Sequence, residues 1–310
     1  MRPNVNRVFS SKASRVINLD PNWLTGFSDA EGCFSVIITK RPNKTWRVIV
    51  SFEINLHTKD IAILHLIKEY LGVGLVSSRL NKTISVFRVT NIEDLIKVII
   101  PHFTKYPLIT DKYCDFLLWS KVVQLISIKQ HLTSTGFNTI LTHYASINRG
   151  VSSTVSAAFP NIIGVERDKF NLPDNLNPNW VSGFTAGDGG FSINVRQGAV
   201  LKQKVYFSFR FHVAQHSRDI LLMRLFIKFF GCGAVNIRST SNRCDFYVQD
   251  LSKIYGIIIP HFETYPLLNI KTLDFLDFKK AAELYKFDKV NSCEAINNIR
   301  NNMNSKREHD

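Results

Sequence analysis

The 310-residue chain carries 39 Lys and Arg against 25 Asp and Glu, a formal net charge of +14. With 45% hydrophobic and 21% charged residues it can build a packed core, which excludes a mostly disordered chain. The basic surplus favours a polyanionic partner, nucleic acid before an acidic membrane surface, and no apolar run reaches the roughly 18 residues that a spanning helix needs.

Residues 1–17 read as a basic arm, with Arg2, Arg7, Lys12 and Arg15 ahead of the first acid, Asp20. That is the composition of a mitochondrial transit peptide; a basic arm or the remnant of an upstream reading frame fits it equally. Pro21 to Ala30 predicts a short helix, Phe34 to Thr39 an alternating strand and Trp46 to Asn55 a second strand, joined by the turn Arg41-Pro42-Asn43-Lys44. Lys59 to Tyr70 has the apolar spacing of a helix at Ile61, Leu64, Ile67 and Leu71, ended by Gly72 and Gly74. Strands follow near Leu75–Ser78 and Ile84–Thr90, then helices near Ile92–Ile100 and Asp111–Ile126. The apolar runs Ile96–Ile100 and Ile257–Ile259 read as core segments that end at Pro101 and Pro260. Five cysteines are scattered with no Cys-x-x-Cys pair, which excludes zinc ribbons and thioredoxin-type motifs and fits a reducing compartment.

The whole pattern then recurs. Asp20-Pro-Asn-Trp-Leu-Thr-Gly-Phe returns as Asn177-Pro-Asn-Trp-Val-Ser-Gly-Phe, and Ser51-Phe52 as Ser208-Phe209, at an offset of 157. Lys59-Asp60-Ile61, Pro101-His102-Phe103, Tyr106-Pro107-Leu108 and Asp115-Phe116 return at an offset of 159. Two long copies are too few for a solenoid. They predict an α+β protein of two pseudo-symmetric αββαββαα units, each with an antiparallel sheet. The boundaries expected are 18–126 and 175–290 for the units, 127–174 for a linker with helical segments, and 291–310 for a polar tail that frays.

Each copy of the first helix ends in an acid followed by glycine: Leu24-Thr-Gly-Phe-Ser-Asp-Ala-Glu-Gly32 and Val181-Ser-Gly-Phe-Thr-Ala-Gly-Asp-Gly189. Gly26 and Ala30, like Gly183 and Gly187, are small residues four apart on one face, so two such helices can approach closely. Glu31 and Asp188 then sit at adjacent helix C-termini, where a negative charge opposes the helix dipole by roughly 0.3–1 kcal/mol. Each alone reads as a solvated helix end. As a repeated pair on helices built to touch, they read as ligands for a divalent cation, which reverses the repulsion.

These nine-residue elements resemble the LAGLIDADG motif of homing endonucleases, and the two-copy arrangement resembles the single-chain members encoded in fungal mitochondrial introns, close to the I-OnuI type. The resemblance runs from about Asn18 to Asn304. It implies two central packed helices, a monomer acting on double-stranded DNA, a mitochondrial setting and intron homing. It implies Mg²⁺ as cofactor, two or three divalent ions, with Mn²⁺ substituting and Ca²⁺ binding without cutting. Glu31 and Asp188, with the carbonyls of Ala30 and Gly187, are the implied metal ligands. Gln215, aligned with Leu56, matches a position that orients water, and Lys112 and Lys271 are candidates to stabilise developing charge. The sequence departs from the pattern at Ala186, where the first copy has Asp29, which questions how that second helix terminates. His102 and His261, beside Pro and Phe, read as packing residues.

Alternation puts one face of each strand outward. The outward set is Ser35, Thr39, Arg41, Arg47, Glu53, Asn55 and Arg88 in the first copy, and Ser192, Asn194, Arg196, Ser208, Arg210, His212, Arg238 and Tyr247 in the second. These include the side-chain types that hydrogen-bond base edges. A strand of about 8 residues spans about 26 Å, roughly 8 base pairs, so two sheets and a central gap cover about twenty. Differences between the copies predict a non-palindromic target. The alternatives are an RNA-splicing maturase that binds intron RNA on the same scaffold, and a DNA-binding protein without catalysis. Intact acids in both copies favour the nuclease.

Overall fold

The computed structural model describes residues 19–43, 45–78, 83–168, 170–197 and 205–307. The basic arm at 1–17, Lys44 of the expected turn and the side chain of Arg196 lie outside the described residues.

Asp20 opens the first helix by accepting from the amides of Asn22 and Trp23, with Pro21 at its first turn; this helix, α1, spans Pro21–Glu31. Asn177 and Pro178 do the same at the start of the second-copy helix, Pro178–Asp188. After α1 come β1 (Gly32–Lys40), β2 (Trp46–His57), α2 (Ile61–Leu71), β3 (Leu75–Ser78) and β4 (Ile84–Val89). Gly72 ends α2 in the left-handed conformation at φ 69°, as the helix-then-glycine pattern demands. The four strands form an antiparallel sheet in the order β1-β2-β4-β3. Helical residues Ile92–Asp94, a π-helical stretch Leu95–Ile99 and Ile100–Lys105 together make α3, and α4 is Lys112–Ser127.

Pro101 and Pro260 do not end their helices. The wide turn Leu95–Ile99, closed by the Ile100 amide on Leu95 O, comes just before Pro101 and lets the helix resume across it. Ile254–Ile258 does the same ahead of Pro260. A proline has no amide to donate and its ring crowds the preceding turn; an inserted residue there relieves both.

Two short helices follow, α5 (Ser134–Ala145) and α6 (Ser153–Ala158). The second copy supplies α7 (Pro178–Asp188), β5 (Gly189–Gln197), β6 (Val205–His216), α8 (Ile220–Phe230), β7 (Ala234–Ile237), β8 (Arg243–Val248), α9 (Leu251–Thr264, its middle π-helical), α10 (Lys271–Phe287) and α11 (Cys293–Asn301). Its sheet has the matching order β5-β6-β8-β7. Under each sheet lies an aromatic core: Phe34 touches Phe52, Phe103, Phe116 and Trp119, and Phe191 touches Phe211, Phe262, Phe275 and Phe278.

The strand register moves the two-residue slip between the copies. Gly32 pairs with Ile54, and Gly189 with Val213. The offset is therefore already 159 along β6, so the extra residues lie in the β5–β6 turn, ahead of the strand. The structural equivalents of Ser51 and Phe52 are Arg210 and Phe211, not Ser208 and Phe209. A slip of two leaves every side chain on its own face, so the hydrophobic pattern gives no sign of it.

Over its described residues, through Arg307, the tail does not fray. Ile296 and Met303 are buried, and Arg307 bonds Asp274 and Asp277, each at 2.7 Å. The linker makes the corresponding contacts in the first copy, where Arg167 bonds Asp115 at 2.7 Å. Asn148 (φ 53°) and Asn304 (φ 58°) occupy the left-handed region that Asn tolerates best after Gly. Their amides reach Phe34 O (2.8 Å) and Phe191 O (3.1 Å) at the equivalent place in each sheet.

Candidate active site and nucleic-acid face

Helices α1 and α7 cross at their glycines. A Cβ on Gly26 would stand 2.1 Å from Trp180 O, and one on Gly183 would stand 2.0 Å from Trp23 O. Towards the C-terminal ends, a Cβ on Gly187 would meet Ala30 Cβ at 2.3 Å and Glu31 Cγ at 3.1 Å. The small-residue stripes thus bring the two acid-bearing helix ends into contact.

Burial pushes the Glu31 carboxyl above its ordinary range, against the pull of Lys112 and Lys271. Asp188 is pushed up to about 6, by burial first and by the neighbouring Glu31 second. The dipole conflict read from the sequence is answered in part by two lysines at the helix ends. Lys112 Nζ donates to Ser28 O (3.0 Å) and Ala30 O (3.3 Å). Lys271 Nζ donates to Thr185 O (3.1 Å), Gly187 O (2.7 Å) and Gly189 O (2.5 Å). Each ammonium thereby satisfies carbonyls that a helix terminus leaves open. Burial lowers both ammonium pKa values, Lys271 to about 8. The carbonyls of Ala30 and Gly187 are bonded to these ammonium groups.

Gln215 stands at the end of β6 on its inward side, and its Nε2 donates to Asp188 Oδ2 at 3.1 Å. Leu56 at the equivalent place offers no such amide, so the two halves of the site differ chemically. A pocket beside Glu31 is lined by Asn55, Leu56, Asp60, Gly187 and Lys271. Among the described residues no three His, Cys, Asp or Glu side chains converge. The donor set available here is two carboxylates and main-chain carbonyls.

Two features escaped the sequence reading. Asp29 is buried and its carboxylate accepts from Ile109 N (3.0 Å), Thr110 N (3.2 Å), Thr110 Oγ1 (2.6 Å) and Trp180 Nε1 (2.8 Å). It joins the repeats and does not terminate a helix. Accordingly α7 ends at Asp188 without it, Asn269 donates to Ala186 O (2.9 Å), and Trp23 Nε1 turns to Pro266 O (3.0 Å). Asp60 Oδ1 accepts from Ile270 N (2.9 Å) and Asp219 Oδ1 from Asp111 N (3.1 Å), so each repeat bonds the start of a helix in the other. His102 and His261 are held by Thr25 and Ser182 at 3.3 and 3.2 Å, as packing residues. Burial lowers each to about 4.

On the outward faces, Thr39 pairs across strands with Arg47, Asn194 with Ser208, Ser192 with Arg210 and His212 with Tyr247. Ser35 is half-buried, while Thr39, Arg41, Arg47 and Asn55 are exposed. Several expected readers are not free. Arg88 Nε lies 2.9 Å from Glu53 Oε1, with Nη2 bonded to Oε2 at 3.0 Å. Arg238, just beyond β7, is gripped by Asp245 through two bonds of 2.7 and 2.6 Å. Asp245 sits on strand β8 and was not singled out from the sequence. Arg196 pairs through its backbone with Tyr206.

The chain matches the LAGLIDADG endonuclease family over residues 24–123 and 181–282. The probable intron-encoded endonuclease 2 of Neurospora crassa is 40% identical over 281 residues, a match covering 86% of this chain and 61% of that protein. The chain thus spans about three-fifths of that relative. The structure of the I-SmaMI LAGLIDADG homing endonuclease bound to cleaved DNA superposes with a TM-score of 0.89 at 33% identity, covering 94% of this chain and 98% of that one. I-SmaMI bound to uncleaved DNA target in the presence of calcium ions gives 0.88 at 33% identity, covering 92% and 99%. No helix among the described residues is long and apolar enough to cross a membrane. The matches of both repeats, and of the whole two-sheet frame, lead to one conclusion: the chain belongs to the LAGLIDADG endonuclease family.

Proposed function

We propose that the protein is a site-specific DNA endonuclease that makes a divalent-metal-dependent double-strand break in a non-palindromic target of about twenty base pairs, acting as a monomer. The observation that carries this reading is the contact of the two acid-bearing helix ends, with Gly187 against Glu31 and Asp188 raised in part by the Glu31 charge. Two carboxylates brought together repel, and Lys112 and Lys271 answer that only in part, since both acids stay raised; the same pair suits a hard cation with oxygen ligands. Glu31 and Asp188 would hold Mg²⁺, with the Ala30 and Gly187 carbonyls as further oxygen donors once Lys112 and Lys271 yield them. The bound ion supplies Lewis-acid polarisation of a phosphodiester and activation of water.

The chain's own groups do the rest. Gln215 fixes Asp188 and can orient a water beside it, through the amide that already donates to Oδ2. Lys112 and Lys271, held beside the acids in a buried setting, favour negative charge developing on a phosphoryl oxygen. The pseudo-twofold sets one acid towards each of two antiparallel strands. The sheets face outward with Arg, Asn, Ser and Tyr to read the groove, and the net charge of +14 draws the chain to DNA. An intron-encoded relative supports a homing role, and with the resemblance it supports a mitochondrial setting.

The test is incubation of purified protein with Mg²⁺ and a library of duplexes of just over twenty base pairs. The reading expects a few sequences cut on both strands, none without metal. Retention of RNA with no cleavage of any duplex would replace it with the maturase.

A further inference from the structure

Three buried side-chain polar atoms with no hydrogen-bond partner among the described residues lie along a single strand face: Ser208 Oγ, Arg210 Nε and His212 Nδ1. They occupy alternate positions of β6, opposite in facing to the core residues Phe207, Phe209 and Phe211. A buried donor or acceptor left open costs stability unless something bonds it. These side chains are also braced. The Arg210 guanidinium lies 4.5 Å from the centre of the Tyr247 ring. The His212 ring lies over Gly190, where a Cβ would meet its Cε1 at 2.7 Å.

The first sheet is different at the equivalent places. By strand register Ser51 corresponds to Arg210, Glu53 to His212 and Arg88 to Tyr247. There Ser51 Oγ donates to Glu53 Oε1 (2.6 Å), and Glu53 grips Arg88 (2.9 Å). That row is tied together by its own bonds, and the counterpart of Ser208 there is the apolar Ile49.

Resting on the endonuclease reading, we propose that the two sheets read DNA with unequal stringency. Ser208, Arg210 and His212 are the specificity-determining row, completed by base edges of the half-site under the second repeat. Ser51, Glu53 and Arg88 tolerate base changes in the half-site under the first. The physical reason is what a wrong base leaves behind. On β6 it leaves polar atoms that have no hydrogen-bond partner among the described residues still unsatisfied, so discrimination is strong. On β2 the internal bonds persist whatever base lies opposite.

The experiment is selection of bound duplexes from a randomised library in Ca²⁺, reading base preference position by position for wild type, Arg210→Lys and Glu53→Gln. Wild type should show its sharpest preferences clustered in one half-site. Arg210→Lys keeps the charge but loses the fork, and should lower discrimination there by roughly 10-fold or more, leaving the other half-site unchanged. Glu53→Gln should release Arg88 and sharpen preference in the tolerant half-site. Equal stringency in both half-sites, or an Arg210→Lys loss spread evenly over all sequences, overturns the inference and leaves the endonuclease reading standing. If wild type retains no duplex, both fall.

Discussion

The indole N–H of Trp180 donates to Asp29 Oδ2 at 2.8 Å, tying the second repeat to a buried acid of the first. The carboxylate takes three more bonds from Ile109 and Thr110, so one side chain joins α1, α7 and the loop before α4. Trp180→Phe should keep the packing and lose one bond, at a cost of about 1–3 kcal/mol because the acid is left short of a donor. Asp29→Ala should cost more. Thermal unfolding of both variants checks this; equal melting temperatures for wild type and Asp29→Ala would show that the bridge contributes nothing.

The glycine crossing makes a sharper demand. With Trp180 O 2.1 Å and Trp23 O 2.0 Å from the added carbons, even Gly26→Ala and Gly183→Ala force the backbones apart. Each should destabilise by roughly 1–3 kcal/mol or more, and both should fall together because the crossing is mutual. Calorimetry decides it, and an unshifted transition in either variant contradicts the crossing.

The docked tail gives a third expectation. Truncation after Val290 removes buried Ile296 and Met303 and the Arg307 bonds to Asp274 and Asp277. The melting temperature should drop by several degrees, and Arg307→Ala alone should cost about 1–3 kcal/mol. A frayed tail would be removed without effect.

The buried histidines predict an acid-side loss of stability. The folded values of His102 and His261, about 4, lie below the ordinary 6.5, so the unfolded chain binds more protons between these values. Their contribution is full above about pH 6.5 and is lost as pH falls towards 4, by about 1–3 kcal/mol each. Asp29 and Asp188, raised to about 6, act with the opposite sign in part of this window. The comparison is therefore between wild type and the His102→Gln, His261→Gln double variant. The stability difference should shift in the variant's favour on acidification from pH 7 to 5; a constant difference rules the histidines out.

Much of this fold is legible in the sequence because it is written twice. The repeated helix with glycine and acid, the strand alternation and the left-handed glycines that end equivalent helices, Gly72 after α2 and Gly231 (φ 63°) after α8, each carry a local signal that duplication strengthens. Long-range partners carry none. Asp60 and Asp219 look like ordinary helix starts, and their use as acceptors for the other repeat exists only once the two halves meet. Asn148 and Asn304 belong to polar stretches whose composition suggests loops, while their left-handed backbone and carbonyl hooks depend on the sheet beneath. At the site, the acids and the lysines stand out by repetition. That the lysines bond the helix-end carbonyls, and that Glu53 and Asp245 claim two of the expected reading arginines, depends on side-chain geometry that spacing does not encode.

The central claim is that Glu31 and Asp188 hold the metal that cuts DNA, while affinity resides in the basic sheets. The direct measurement is linearisation of a supercoiled plasmid carrying the selected target, in Mg²⁺, by wild type, Glu31→Gln and Asp188→Asn, alongside duplex binding in Ca²⁺. Wild type should linearise the plasmid, neither variant should, and binding should stay within a few-fold of wild type. Undiminished Mg²⁺-dependent linearisation by both variants would contradict the account.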